Sequence, residues 1–216
     1  MSTDLERFLA NARGAAAAAT GRAKVVRLDE HASLAPASEC AWGLAAVRGR
    51  LVELSARGAT ATLTAAIELV AEAQAQGEPV AWLAPQVTSF YPPDVAASGV
   101  DLAALVVVRV AEPIAAVRSA ERLLRSGAFG LVIMDLGTAE LAMQVQGRLV
   151  TLAQTHDAAV VCLTQKSADA ASLGSLISLR AEATRLHGEI TLRVLKDKRR
   201  GPGFAQQLKV RGPPGY

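Results

Sequence analysis

The sequence predicts an α/β fold: a mostly parallel sheet flanked by helices, extended by a C-terminal antiparallel hairpin and preceded by an N-terminal helix-strand arm. Two observations carry this. Between residues 50 and 164, short near-continuous apolar runs alternate with longer amphipathic segments, the pattern of strands buried on both faces and of the helices that cover them. Beyond residue 188 the chain changes to two β-type runs around a Gly-Pro-Gly turn, which reads as a hairpin added to the sheet.

The arm comes first. In "TDLERFLANA" Thr3 is placed to cap a helix with Glu6 three residues later, and Leu5, Phe8, Leu9 and Ala12 share one helical face. After the alanines from Ala15 to Ala19, "AKVVRL" supplies a short strand in which Lys24, Val25 and Val26 are candidate partner contacts. Residues 1–28 form this arm, and the polar "DEHASLAPASE" joins it to a core domain over 29–216. Such a strand either folds back on its own core or reaches a neighbour.

Within the core, strands are predicted from Arg50 to Ser55, Val80 to Ala84, Leu105 to Val110, Leu131 to Asp135 and Ala159 to Thr164. Helices are predicted from Thr60 to Gln76, Glu112 to Ser126 and Ala139 to His156, with Gly77 and Gly127 as stop signals. Near-continuous apolar strands separated by amphipathic helices describe a parallel sheet covered on both faces.

Composition bounds the class. Hydrophobic residues make up 51% and charged residues 20% of the 216-residue chain, which suits one filled core rather than a disordered chain. A net charge of +3 permits a nucleic-acid or acidic-protein contact without requiring one. Cys40 and Cys162 are the only cysteines, too few for a disulfide framework or a zinc site, and are read as reduced and buried. No apolar run approaches the length of a membrane span, so a cytoplasmic protein without membrane contact is expected.

The stretch "ELSARGATATLTAAIELVAEA" holds the frame of a nucleotide site: strand, small-residue loop, helix. A working phosphate loop follows G-x-x-x-x-G-K-[ST], in which glycines let backbone N–H groups surround the phosphates, lysine neutralises them and the hydroxyl binds magnesium. Here the eight positions are Ala56, Arg57, Gly58, Ala59, Thr60, Ala61, Thr62 and Leu63. Ala56 and Ala61 replace the glycines, Thr62 the lysine and Leu63 the hydroxyl, and a register shift that uses Thr62 or Thr64 as ligand still brings in no lysine. No ATP and no other cofactor is expected.

Asp135 ends the apolar "GLVIMDLG", where an ATPase would hold magnesium; with the loop lost it reads as a relic or as the cap of the following helix. Glu53 and Glu68 lie on a strand and a helix face with no evident partner. His31, His156 and His187 are isolated and lack ligand spacing, so no metal site is expected.

Taken in order, "GRLVELS", "AEAQAQGEPVAWLAP", "GVDLAALVVVR", "ERLLRSGAFGLVIMDLG", "VVCLTQ" and "ITLRVLKDKRRGPGFAQQLKV" resemble the successive core segments of the bacterial recombinase RecA. The resemblance runs over nearly the whole chain, including the leading helix and "AKVVRL", which is similar to RecA's protomer-joining arm. It implies a RecA-like core. The departures imply a non-enzymatic paralogue. RecA's water-activating glutamate corresponds to Gln86, and a carboxamide is no general base. Only one helix separates Asp135 from "VVCLTQ", so the first DNA-binding loop of RecA is missing. "KSADAASLGSLISL", in the place of the second, is short with one basic residue, Lys166.

Within the RecA-like class the chain most resembles ImuA, an accessory factor of bacterial SOS mutagenesis that works with the polymerase-like ImuB and an error-prone polymerase complex. This implies a protein of the DNA-damage response that binds RecA, capping or inhibiting its filament. The cell-division inhibitor SulA is the alternative within the class. In "RVLKDKRR", Arg193, Lys196, Lys198, Arg199 and Arg200 stand against one acid, Asp197. The resemblance implies that Lys196 and Lys198 reach across a protomer joint to ATP held by RecA, while Arg193, Arg199 and Arg200 open a further alternative, direct DNA binding.

Overall fold

The computed structural model describes residues 42–55, 57, 61–86, 90–187 and 189–208. All of them fall in the unit that spans residues 37–216. The predicted arm, with Lys24, Val25 and Val26, lies outside the described residues, as do Cys40, His31, Ala56 and Gly58.

The elements are α1 (Leu44–Val47), β1 (Leu51–Ser55), α2 (Thr62–Ala75), β2 (Val80–Pro85), α3 (Pro92–Ala97), a 3₁₀ turn at Leu102–Ala104, β3 (Leu105–Val110), α4 (Pro113–Arg125), β4 (Leu131–Gly137), α5 (Met143–Thr155), β5 (Ala159–Thr164), β6 (Leu179–Leu186), β7 (Glu189–Asp197) and β8 (Ala205–Leu208). They form an eight-stranded sheet in the order β3-β2-β4-β5-β1-β6-β7-β8. Strands β1 to β6 pair in parallel, and β7 and β8 are antiparallel additions. The five predicted core strands and three long helices are present within a few residues of their expected ends.

Each strand feeds two cores. Val52, Leu54, Trp82, Ile133 and Val161 face α1 and α2, whereas Leu51, Leu83, Met134 and Cys162 face α4 and α5. Helix α2 stops where predicted, at Gly77, whose φ of 76° suits glycine after a helix end. Trp82, wholly buried on β2, packs on Phe90 at 5.1 Å, and the Arg109 guanidinium covers the outer side of that ring at 5.5 Å from its centroid. Among the described residues no helix is long and apolar enough to cross a membrane.

Two parts of the sheet differ from expectation. Strand β6 lies between β1 and the predicted hairpin, so the antiparallel extension has its own parallel link to the core. Its charged residues Arg180, Glu182 and Arg185 hide it in the sequence. Strand β4 runs on past Asp135 to Gly137, with an irregular register against β5. The next long helix, α5, begins only at Met143 with Ala142 at its cap, so Asp135 does not cap it. Asp135 is instead a half-buried strand residue.

Candidate functional site

The phosphate-loop frame sits between β1 and α2, and of its eight positions the structure describes Arg57, Ala61, Thr62 and Leu63. Ala61, in the place of the second glycine, is buried, and its N–H donates to the Ala183 carbonyl on β6 at 3.1 Å rather than into a loop cavity. Thr62, in the place of the lysine, opens α2 with its Oγ1 buried and without a hydrogen-bond partner among the described residues. Leu63 packs against the core, Arg57 is exposed, and the Thr64 hydroxyl accepts from Arg185 at 3.4 Å. No side chain caps the N-terminus of α2 and its first turn holds no acid. Gln86 follows β2, exposed, with its N–H donated to Val110 at 3.1 Å.

The most developed polar site lies one strand away and was not foreseen. Glu53, expected to be without a partner, is completely buried in β1. Its Oε1 accepts from Thr164 Oγ1 at 3.0 Å, its Oε2 accepts from the Leu173 N–H at 2.9 Å, and Arg180 Nε stands 3.7 Å from Oε2. Two hydrogen bonds and a guanidinium offset the cost of taking this carboxylate out of water. Glu68, on α2, is engaged as well.

The register explains the cluster. Cys162, Glu53, Arg180 and Lys196 are successive partners across β5, β1, β6 and β7, so four side chains form one row on the α5 side of the sheet. Over that row runs the connection 165–178 between β5 and β6. It is held as a strap. Arg180 donates from Nε to Ser55 Oγ at 3.1 Å, from Nη2 to the Ser167 carbonyl at 2.8 Å and from Nη1 to the Ala170 carbonyl. Buried Gln146 on α5 donates to the Leu173 carbonyl at 3.1 Å, and a Cβ at Gly174 would collide with its amide. Lys166, the strap's one basic residue, pairs with Glu140 at 3.1 Å.

The basic turn is part of this arrangement. Lys196 Nζ donates to the Gly174 carbonyl at 3.4 Å and Lys198 Nζ to the Ser175 carbonyl at 2.6 Å, so both ammonium groups lie on the chain's own strap. Burial lowers the Lys196 pKa below the usual lysine range; nearby Lys198 adds to the effect and Glu53 opposes it. Asp197, counted in the sequence as the one acid of a basic run, forms a buried ion pair with Arg50 at 2.6 Å. Arg193 pairs with Glu182 at 2.9 Å, while Arg199 and Arg200 are exposed on the turn. Cys162, facing Glu53, has its thiol pKa pushed far up, first by burial and then by that carboxylate.

Sequence reading missed the Glu53–Arg180 and Arg50–Asp197 pairs because their members are far apart in the chain. The available signal was a lone acid inside an otherwise apolar strand, which has to be neutralised somewhere. His156 and His187 are exposed, and among the described residues no group of His, Cys, Asp or Glu is arranged to hold a metal.

Comparisons with known proteins agree with this architecture. No curated protein matches the chain. Among solved structures, the RadB recombinase superposes with a TM-score of 0.60 at 14% identity, over 74% of this chain and 87% of that one, a likeness of fold alone. The profile of the RecA N-terminal domain family matches residues 11–162, more than half of the sequence, through the sheet from β1 nearly to the end of β5. The chain belongs to the RecA N-terminal domain family.

Proposed function

We propose that this chain is an ATP-independent RecA-like accessory protein of the DNA-damage response, acting in translesion mutagenesis by binding RecA and an error-prone polymerase complex with an ImuB-type subunit. The observation that carries this is the state of the phosphate-loop frame. The amide at Ala61 is spent on Ala183, and threonine replaces the lysine. Gln86 stands where RecA has its catalytic base. A fold that keeps the frame and not the groups that hold and hydrolyse a nucleotide suits a docking role, in the cytoplasm, rather than catalysis.

Two further features support docking. Among the described residues strand β3 is paired on one side only, to β2, and Val106 and Val107 are exposed at 45% and 37%. An open apolar edge of this kind accepts an added strand, and the arm strand with Lys24, Val25 and Val26 has the composition to supply one to a neighbour. The exposed turn around Lys198 offers a cationic end for a RecA protomer that carries its own ATP.

The test is affinity capture of the tagged full chain from DNA-damaged cells, read for RecA, polymerase subunits and the division protein. It is joined to binding of the purified chain to RecA filaments at two salt concentrations. Recovery of RecA and polymerase with weak salt dependence is the expected result. Recovery of the division protein instead would assign a SulA-like role. A steep salt slope for naked DNA, with RecA binding absent, would assign the DNA-binding alternative to Arg193, Arg199 and Arg200.

A further inference from the structure

Helix α4 presents an arginine row that none of the foregoing uses. Arg118, Arg122 and Arg125 follow Ile114 at spacings of four, four and three residues, so the four side chains fall within about 80° of one another around the helix axis. All four are exposed, Ile114 at 47%. None of the three guanidiniums has an ion pair or hydrogen bond among the described residues. The acid on the same helix, Glu121, is engaged by Arg148 of α5 at 2.8 Å.

Helix stability does not account for the row. Arg122 and Arg125 lie in the last turn, where the helix dipole favours cations. Arg118 does not, and one turn from Arg122 it adds a like-charge repulsion of a few tenths of a kcal/mol. The three arginine positions are about 4.5 to 6 Å apart along the helix axis, a spacing that carboxylates on a facing helix or successive phosphates both match. The apolar end decides between them. A phosphate backbone has nothing to place against Ile114, whereas an amphipathic protein segment does, and arginines beside an apolar anchor are the composition of protein interfaces.

We infer that this face of α4 docks an acidic amphipathic segment of a partner protein, with carboxylates at i, i+4 and i+7 on the three arginines and an apolar residue one turn away on Ile114. The site is separate from the strap and the basic turn, and it stands whether or not RecA is a partner.

The probe is a fluorescein-labelled synthetic helical peptide with glutamates at i, i+4 and i+7 and a leucine one turn before them. A glutamine version and a labelled thymidine oligonucleotide serve as controls. Anisotropy is read on the full chain and on two variants, Arg118→Glu/Arg122→Glu/Arg125→Glu and Ile114→Asp, whose folding is verified by circular dichroism. The glutamate peptide is expected to bind, the glutamine peptide not. The triple reversal should weaken binding by at least about tenfold and Ile114→Asp by at least about threefold, with the oligonucleotide unaffected by either. The proposal is overturned if the glutamate peptide does not bind, or if either variant leaves its affinity unchanged. It is also overturned if the triple reversal abolishes oligonucleotide binding while Ile114→Asp is silent, which would make the row a phosphate contact.

Discussion

Arg50 Nη2 lies 2.6 Å from Asp197 Oδ1, with both side chains almost wholly removed from solvent. This pair fastens the turn bearing Lys198, Arg199 and Arg200 to the beginning of β1. The same guanidinium donates to the Ser178 carbonyl at 2.6 Å and to its hydroxyl at 2.9 Å, so strap, turn and first strand meet at one residue. Asp197→Ala leaves the guanidinium buried and uncompensated, and should destabilise the fold by about 3 to 5 kcal/mol in urea unfolding. A loss below about 1 kcal/mol would mean that the pair behaves like a solvated surface bridge.

The phosphate-loop frame gives a second prediction. With Thr62 in the lysine place and the Ala61 amide committed to Ala183, the loop has no lysine to offset the charge of a buried triphosphate, and its one described cation, Arg57, is exposed to solvent. Purified protein should show no ATP hydrolysis above a no-enzyme control and no change in melting temperature with micromolar ATP and magnesium. A magnesium-dependent rise in melting temperature would overturn the ATP-independent reading.

Alkaline pH separates two groups of the buried row. The native state holds the Cys162 proton above pH 9.0, where the unfolded thiol ionises, so the native state binds more protons there and stability falls as pH rises. Lys196 has the opposite sign. Its native pKa is lowered, so between that value and 10.5 the unfolded state binds more protons, and stability rises with pH. Cys162→Ala should therefore flatten the alkaline decline and Lys196→Met should steepen it, as read by urea midpoints from pH 8 to 10.5. Identical slopes in wild type and both variants would contradict the assignment. In a Cys40→Ser background, Cys162 should also be unreactive to a thiol reagent until the chain unfolds.

How much of this was legible in the sequence depended on whether the signal was local. Leu105–Val110 and Ala159–Thr164 are near-continuous apolar runs, broken only by Arg109 and the closing Thr164, and both strands appear with the expected ends. Strand β6 was not legible. "LRAEATRL" alternates charge with small residues and reads as polar, yet Arg180 is acceptable inside it because Glu53 stands opposite in register. The converse held for Glu53, whose isolation on β1 was plain while its neutralising partner lay on a strand that had not been recognised. The basic run was legible as charge and not as structure, since Asp197 and both lysines are turned to intrachain bonds. The α4 row could have been read from its spacing; knowing that Glu121 is taken by Arg148 required the packing of α4 on α5.

The last prediction divides Lys196 from Lys198. Lys196 is half-buried, in register with Arg180 and bonded to the strap at Gly174, so its removal should loosen the strap and lower the urea midpoint. Lys198 is exposed and, among the described residues, its ammonium has one carbonyl acceptor, Ser175. If the chain serves as an end piece on ATP-loaded RecA, Lys198 makes the charge-assisted contact to the neighbour's phosphate. Lys198→Ala should then weaken binding to RecA filaments by on the order of 2 to 5 kcal/mol with the urea midpoint unchanged. Changing Arg199 and Arg200 should mainly alter the salt dependence, as peripheral charges do. A basic turn that is only a solvated face predicts that all of these substitutions act weakly and alike on binding. Measured on filaments with single-stranded DNA at two salt concentrations, an unchanged affinity for Lys198→Ala and for Lys196→Ala/Lys198→Ala would end the end-piece reading. The RecA-like fold, which rests on the sheet order, would be unaffected.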